Sequence, residues 1–189
     1  MLDRRKCVRI LLAERGNLLV VSGLGAPTYD VAAAGDHGLN FYLWGAMGGA
    51  AMAGLGLALA RPKLRVAVIT GDGEMLMGLG SLATIGVKQP RNLAIIVLDN
   101  RHYGETGMQA SHTDSGIDLA AIAQACGFRE ARSVAADADL DAARQSIHTG
   151  RGPIFIQARV EADLPHRVLP ARDGNEIRLR FMHAVASLS

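Results

Sequence analysis

The sequence predicts an α/β fold: a three-layer sandwich with a central, mostly parallel six-stranded sheet and helices on both faces. Short apolar runs suited to strands alternate with longer segments rich in small apolar residues, which are typical of buried helices. Hydrophobic residues make up 49% of the chain but aromatic residues only 4%, which favours helices on a parallel sheet over a β-sandwich. The length of 189 residues suits one well-buried domain, so we expect residues 1–189 to form a single domain.

The strand predictions rest on runs of large apolar and β-branched residues that lack helical spacing. They cover residues 17–23, 40–45, 64–71, 92–100, 128–133 and 153–160. Helices are predicted for residues 2–15, 29–34, 46–60, 74–88, 119–126, 140–149 and 176–188, with a polar loop over 101–116. This alternation implies right-handed βαβ connections and a sheet that is covered on both faces.

Residues 39–60 carry no charge and are numerous enough to span a membrane. Several glycines, a strand-like start and the immediate return to a strand after Lys63 favour a glycine-rich turn and a buried helix instead. We therefore expect no membrane association.

Composition excludes several classes of function. The formal net charge of +2 is too small to indicate binding to nucleic acid. Two lone cysteines, Cys7 and Cys126, without a signal-peptide pattern indicate a reducing, cytoplasmic compartment, and they cannot by themselves build an iron–sulfur cluster or a four-cysteine zinc site. Basic residues cluster near both ends, which is typical of a solvated surface, although a partner contact or an anionic ligand also fits. They are Arg4, Arg5, Lys6, Arg159, Arg167, Arg172, Arg178 and Arg180.

Two predicted strands end in side chains that carry oxygen donors. Asp72 lies between Gly71 and Gly73 directly after one strand, and Asn100 ends the next. Ligands of open parallel sheets bind beyond the carboxyl ends of the strands, and neighbouring strands lie about 4.8 Å apart. If these strands are neighbours, the carboxylate and the amide oxygen can converge on one ion. Mg²⁺ held together with a diphosphate suits this donor set.

The residues around Asp72 would also suit an anion. Gly71 and Gly73 permit a close approach, and a helix predicted to begin at Glu74 would turn its first N–H groups and positive dipole end toward the ligand. A GDG triplet after a strand is also typical of a simple tight turn, so the triplet alone does not decide. Its combination with Asn100 and with GAMGG at residues 45–49 favours a binding site.

That combination resembles the thiamine-diphosphate-dependent 2-oxoacid decarboxylases, in the C-terminal domain that binds the cofactor's diphosphate. The resemblance covers about residues 19–160 and implies that Asp72, Asn100 and the main-chain carbonyl of His102 bind Mg²⁺. It also implies that Met47 forces the cofactor, thiamine diphosphate, into its bent form, with ordinary core packing as the alternative. The implied cofactor contacts are Gly25, Ala26, Gly45, Met47, Gly71, Gly73, Glu74, Asn100, Tyr103 and Gly104.

Cofactor activation in this family also requires a glutamate from a second, pyrimidine-binding domain, for which 189 residues leave no room. The resemblance therefore implies a β subunit whose partner is an α-type subunit of similar length. The loop over residues 98–113 is most similar to sulfopyruvate and phosphonopyruvate decarboxylases, which implies an anionic 2-oxoacid substrate. His112 in this loop is a candidate for proton transfer or anion binding, unless it is an ordinary surface residue. Glu105 is not expected to replace the missing glutamate.

Other functions remain open. The same motif occurs in β subunits of 2-oxoacid oxidoreductases or dehydrogenases and in enzymes of the acetolactate synthase type. A non-catalytic dinucleotide-binding module would need GxGxxG, and the GLGAPT at residues 23–28 lacks the third glycine. A degenerate regulatory subunit is disfavoured because Asp72 and Asn100 are intact.

Overall fold

A computed structural model describes residues 1–188 and confirms the three-layer α/β architecture. The strands are β1 (Leu19–Ser22), β2 (Asn40–Tyr42), β3 (Val66–Gly71), β4 (Leu93–Asp99), β5 (His102–Tyr103), β6 (Gln109–Ala110), β7 (Glu130–Val134) and β8 (Ile154–Arg159). The central sheet has six strands in the order β2-β1-β3-β4-β8-β7, and all of its pairings are parallel. β5 and β6 form a separate antiparallel hairpin inside the predicted polar loop.

Helices cover both faces of the sheet. They are α1 (Arg4–Leu11), α2 (Ala26–Ala33), α3 (Ala50–Ala60), α4 (Asp72–Met77), α5 (Gly80–Lys88), α6 (Leu119–Ala125), α7 (Leu140–Thr149) and α8 (Gly174–Ala186). Side chains of a strand point alternately to its two faces, and β4 shows this clearly. Ala94, Ile96 and Leu98 pack with α1, α2 and α7, whereas Leu93, Ile95 and Val97 pack with α3, α5 and α6.

The prediction of one helix over residues 74–88 was wrong. The segment forms α4 and α5, which are separated at Gly78 and Leu79. A Cβ atom at Gly78 would lie 2.3 Å from the carbonyl oxygen of Gly48, so the turn before α3 packs directly on this break. The helix break therefore depends on a contact with a distant part of the chain.

Two further helices begin three or more residues from their predicted starts, and α1 and α8 each differ by two. α2 begins at Ala26 rather than at residue 29, because Pro27 suits the first turn of a helix. α3 begins at Ala50 rather than at residue 46, because Ala46 and Gly48 have positive φ angles of 56° and 87°, which a right-handed helix does not allow. The turn after β1 is therefore shorter than predicted and the turn after β2 is longer.

The uncharged stretch over residues 39–60 divides into β2, a turn and the eleven-residue helix α3. Within residues 1–188, no helix combines the length and the apolar character that crossing a bilayer would require.

Residues 161–172, here called the strap, connect β8 to α8 without regular secondary structure. Arg5 donates to the carbonyl of His166, and Nη1 of Arg4 lies 3.4 Å from the carbonyl oxygen of Asp163. At its far end, the indole N–H of Trp44 donates to the carbonyl of Ala171 at 2.8 Å. The strap is therefore fixed by the first helix and by the end of β2.

Candidate active site

A cleft of about 590 Å³ opens beyond the carboxyl ends of β1, β3 and β4. It is where the topology predicts a ligand of an open parallel sheet to bind. Most of the predicted site residues line it, namely Ala26, Met47, Gly71, Asp72, Gly73, Glu74, Asn100, His102, Tyr103 and Gly104. Gly25, Gly45 and His112 are not among the lining residues of the described chain.

Asp72 is the first residue of α4 and is 2% exposed. Its Oδ2 atom accepts hydrogen bonds from the hydroxyls of Ser111 at 2.5 Å and Thr113 at 3.3 Å. Burial raises the pKa of Asp72, and the nearby charge of Asp99 raises it further, while the Ser111 hydroxyl works in the opposite direction. Within residues 1–188 no arginine, lysine or histidine pairs with this carboxylate.

Asn100 directly follows β4 and is buried. Because β3 and β4 are neighbours, with Gly71 opposite Leu98, the ends that carry Asp72 and Asn100 lie side by side. The amide oxygen of Asn100 accepts from the backbone N–H of His102 at 2.9 Å, and the carbonyl of Asn100 lies 2.8 Å from Nδ1 of His102. These bonds form a tight turn that brings the backbone of His102 to the cleft.

Sequence reasoning missed Asp99, Ser111 and Thr113. Asp99 is fully buried and pairs with Nη1 of Arg159 at 2.7 Å. The hydroxyl of Thr113 contacts Asp99 at 2.7 Å, so the loop after the hairpin is tied to both acidic strand ends. Residues 111–116 form a series of hydrogen-bonded turns, and this geometry brings both hydroxyls to Asp72 without a pattern in the sequence that indicates it.

His112 points away from the cleft. It is exposed, and its Nδ1 atom lies 3.1 Å from the hydroxyl of Tyr103. Tyr103 in turn packs on Gly73, where a Cβ atom would lie 2.6 Å from the tyrosine ring. The space beside Gly73 is thus occupied by the ring of Tyr103. Since Tyr103 lines the cleft, His112 is connected to the cleft through this tyrosine.

The turn over residues 45–48 forms one rim of the cleft. Met47 lines the cleft while 40% of it remains exposed, so it is not an ordinary core residue in this structure. Its terminal methyl carbon would lie 3.8 Å from a Cβ atom at Gly73, which places Met47 close to α4. Gly45 and Ala46 are exposed in the same turn.

Glu74 does not begin α4, which starts two residues earlier, at Asp72. Its buried carboxylate accepts from the Thr70 hydroxyl at 2.8 Å, from the N–H of Leu24 at 3.2 Å and from that of Ala50 at 3.4 Å. Burial raises the pKa of Glu74, and these hydrogen bonds oppose the shift. A Cβ atom at Gly23 would lie 1.8 Å from Glu74 Oε2, so the carboxylate is enclosed by the turn after β1, the start of α3 and the end of β3.

The turn before α2 lies on the opposite rim. Gly25 precedes α2 with a φ of 70°, and no side chain caps the helix. Glu105 packs against Gly25, where a Cβ atom would lie 2.8 Å from Glu105 Cγ. Ala26, the first residue of α2, lines the cleft, so the start of this helix faces the same space as Asp72.

The donor set fits Mg²⁺ and a diphosphate. Within residues 1–188 no cluster of three or more His, Cys, Asp or Glu side chains could bind a metal, which disfavours a zinc-type centre. A single carboxylate with amide and carbonyl oxygens matches Mg²⁺, which usually completes its shell with water and phosphate oxygens. Asp72 and Asn100, together with the backbone of His102, would hold the ion, and the start of α2 would face the diphosphate.

Comparison with known proteins identifies the family. Residues 23–158 match the family "Thiamine pyrophosphate enzyme, C-terminal TPP binding domain", and the chain belongs to this family. It is 38% identical over 188 residues to the β subunit of sulfopyruvate decarboxylase from Methanothermobacter thermautotrophicus, covering 98% of this chain and 96% of that subunit. It is 39% identical over 152 residues to phosphonopyruvate decarboxylase from Streptomyces viridochromogenes, covering 80% of this chain but 38% of that relative.

A solved structure shows the same fold at lower identity. The thiamine diphosphate-dependent 4-hydroxybenzoylformate decarboxylase of Rhodococcus jostii superposes with a TM-score of 0.72 and 23% identity, covering 86% of this chain and 33% of that chain. The chain thus matches nearly a whole β subunit, but only about a third of the larger proteins.

Proposed function

We propose that this chain is the β subunit of a heteromeric, Mg²⁺-dependent 2-oxoacid decarboxylase whose substrate carries a second anionic group. The identity to a sulfopyruvate decarboxylase β subunit and to a phosphonopyruvate decarboxylase supports this substrate class. Thiamine diphosphate, when bound, supplies the electron sink that decarboxylation of a 2-oxoacid requires.

The buried Asp72 carboxylate carries the proposal. A buried charge is normally paired or coordinates a metal, and within residues 1–188 the side-chain partners of Asp72 are hydroxyls alone. Mg²⁺ bound by this carboxylate, by Asn100 and by the carbonyl of His102 would supply the positive charge that the carboxylate lacks. Ser111 and Thr113 would orient the carboxylate from behind, as partners of metal ligands commonly do.

The glutamates of the cleft support a partner that supplies the activating acid. Glu74 is enclosed by the turns at Gly23 and Ala50, and Glu105 forms an ion pair with Arg167. Glu74 accepts from the backbone N–H of Gly48, at the end of the exposed turn where the family resemblance places the aminopyrimidine ring, but its carboxylate is already occupied by this and its other hydrogen-bond donors. Glu105 packs on Gly25 at the start of α2 instead. We therefore propose that the glutamate comes from an α-type subunit.

Exposed apolar side chains on this turn and on the helices that follow it support the same conclusion. They are Met47 on the turn, Met52 and Leu59 on α3, Met77 on α4 and Val87 on α5. α3 contains no charged residue. Exposed apolar surface of this kind is typical of protein–protein contacts, and we propose that the α-type subunit covers at least the part that begins at Met47.

Reconstitution tests the proposal. The full chain would be coexpressed with a candidate α-type subunit, and CO₂ release would be followed with thiamine diphosphate and Mg²⁺. We expect turnover of sulfopyruvate or phosphonopyruvate to exceed that of pyruvate, and we expect chelation of Mg²⁺ to abolish it. Asp72→Ala should be inactive, whereas Asp141→Ala, at an exposed carboxylate of α7, should be unaffected.

Two results would contradict the proposal. Activity that persists in Asp72→Ala without added metal would exclude the Mg²⁺ site. Product formation only in the presence of an electron acceptor would assign the chain to the oxidoreductase class.

A further inference from the structure

Two arginines line the same cleft as the candidate metal site. Arg4 lies on α1 and Arg167 on the strap, and both border the same space as Asp72 and Asn100. The sequence alone favoured a solvated surface for these basic residues and left a partner contact or an anionic ligand as alternatives. The structure instead buries Arg4, which exposes 5% of its side chain.

Arg4 belongs to a buried group with excess positive charge. Its Nε atom pairs with the fully buried Asp30, and Arg5 pairs with the same carboxylate at 3.3 Å. Two guanidinium groups thus share one acid. Within residues 1–188, Nη2 of Arg4 has no hydrogen-bond acceptor, and Nη1 has only the distant carbonyl of Asp163. The Nη2 atom of this largely buried guanidinium is therefore a donor that remains available to an anion in the cleft.

Arg167 lies on the opposite side of this space. Its Nη2 atom is 3.3 Å from Oε2 of Glu105, and its guanidinium carbon lies 5.4 Å from the centre of the Tyr29 ring. Glu105 packs on Gly25, at the uncapped start of α2. A carboxylate is therefore held beside the backbone N–H groups of a helix N-terminus, which is a position suited to an anionic ligand.

We propose that Arg4 and Arg167, together with the start of α2, bind a tetrahedral oxyanion, and that Glu105 holds Arg167 in place until this anion arrives. The inference rests on the proposed function for its ligand. The terminal phosphate of thiamine diphosphate is the source that the shared cleft favours. The sulfonate or phosphonate group of the substrate has the same chemistry and is the other source.

Two substitutions distinguish an anion contact from a structural latch. The dissociation constant of thiamine diphosphate would be measured by calorimetry at saturating Mg²⁺, with the full chain and its partner subunit. Arg167→Gln should weaken binding about 10-fold, the size expected for one charge-assisted hydrogen bond. Glu105→Gln should leave binding unchanged or strengthen it, because it removes a competing carboxylate.

The control is Arg144→Ala. Arg144 forms a comparable ion pair with Glu14, at 3.2 Å, but it lies on α7 away from the cleft, so its loss should not change binding. If Arg167→Gln and Glu105→Gln weaken binding equally, the pair only fastens the strap and the inference is wrong. An Arg167→Gln variant that changes neither thiamine diphosphate binding nor the KM for the anionic 2-oxoacid would also overturn it.

Further titrations identify the source of the anion. If the terminal phosphate is the ligand, Arg167→Gln should weaken thiamine diphosphate but not thiamine monophosphate. If the substrate is the ligand, cofactor binding should stay the same while the KM for the anionic 2-oxoacid rises about 10-fold. Inorganic pyrophosphate without thiamine tests the anion group independently of the proposed function, and failure of the unchanged protein to bind it would contradict the inference.

Arg4 needs a variant that preserves folding, because it compensates Asp30. Arg4→Lys keeps the positive charge that Asp30 needs but has one side-chain nitrogen, so no second nitrogen remains to bind the anion. Thermal unfolding would confirm that the variant folds. We expect weaker pyrophosphate binding at an unchanged melting temperature. A folded Arg4→Lys protein with unchanged affinity would remove Arg4 from the anion group.

Discussion

Asp72 and Asp99 are two buried carboxylates at the ends of neighbouring strands, yet their surroundings differ. Asp99 is compensated by Arg159 at 2.7 Å and by the amide of Gln157 at 2.6 Å. Among the side chains of the described part of the chain, Asp72 accepts hydrogen bonds from the hydroxyls of Ser111 and Thr113 alone. Thr113 contacts both acids, so the two sites share one loop.

We propose that the difference separates a structural acid, Asp99, from a metal-binding acid, Asp72. The charge of Asp99 is balanced inside the chain, and the result is a fixed end of β4. The charge of Asp72 is desolvated without a cation, which is unfavourable in isolation and favourable when a cation is supplied from solution. The two acids are similarly buried, and the presence or absence of a paired cation is what distinguishes them.

Replacing Asp72 should have the largest effect. Asp72→Ala removes the carboxylate of the proposed Mg²⁺ site and should weaken Mg²⁺-dependent binding of thiamine diphosphate by about 100-fold or more, since even an outer partner of a metal ligand is worth about 10-fold to 100-fold. Calorimetry on the full chain with its partner measures this. Comparable affinity in the variant would show that Asp72 is not a ligand.

Replacing Asp99 should instead destabilise the fold. Asp99→Ala leaves Arg159, Gln157 and Thr113 without their shared acceptor and should lower the free energy of unfolding by about 3 kcal/mol. Denaturant unfolding measures the change, and a double-mutant cycle with Arg159→Ala should give a clear coupling energy. Additive effects in the cycle would mean that the ion pair contributes little.

Ser111→Ala tests the orientation of Asp72. The variant loses the hydroxyl nearest to the carboxylate and should weaken Mg²⁺ binding about 10-fold, with little change in stability. A Mg²⁺ titration followed by calorimetry measures the loss. Thr149→Ala, at an exposed hydroxyl on α7, is the control and should bind Mg²⁺ normally. An unchanged affinity in Ser111→Ala would mean that the Ser111 hydroxyl does not help Asp72 to bind Mg²⁺.

The pH dependence of the metal-free protein should show the smallest effect. Burial raises the pKa of Asp72, so the folded state binds its proton more tightly than the unfolded chain does. This contribution to stability is present at low pH and is lost as pH rises through the folded pKa. Asp72→Asn should therefore gain stability relative to the unchanged protein as pH rises above about 4, the ordinary pKa of aspartate.

Denaturant unfolding in a metal chelator at several pH values measures this difference. Saturating Mg²⁺ should reverse it, because the ion stabilises only the carboxylate form. A constant difference between the two proteins across this range would contradict the assigned burial effect.

The central sheet could be predicted because its strands are nearly continuous apolar runs. All seven residues of β4 are buried, and such a strand is distinct from its polar flanks. The acidic and amide residues at the strand ends followed from the same reasoning. Asp72 and Asn100 lie close together because the consecutive strands β3 and β4 pair with each other.

Features that depend on distant contacts could not be predicted. The break between α4 and α5 requires the backbone of Gly48, and burial of Arg4 requires Asp30. In sequence, Arg4 resembles an exposed helix residue and Asp30 a polar position of a short helix. The hydroxyls of Ser111 and Thr113 reach Asp72 only because the hairpin folds their loop back onto the sheet.

Leu2 extends the architecture to the very start of the chain. Its N–H donates to Arg159 and its carbonyl accepts from Glu161, both at 3.0 Å, so it forms a parallel bridge beside Val160. The preceding Met1 contacts the guanidinium of Arg101, next to Asn100. An affinity tag fused ahead of Met1 would consequently lie beside the turn at Asn100, where the Mg²⁺ site is proposed. A tag placed after α8 is therefore the safer choice for every titration described above.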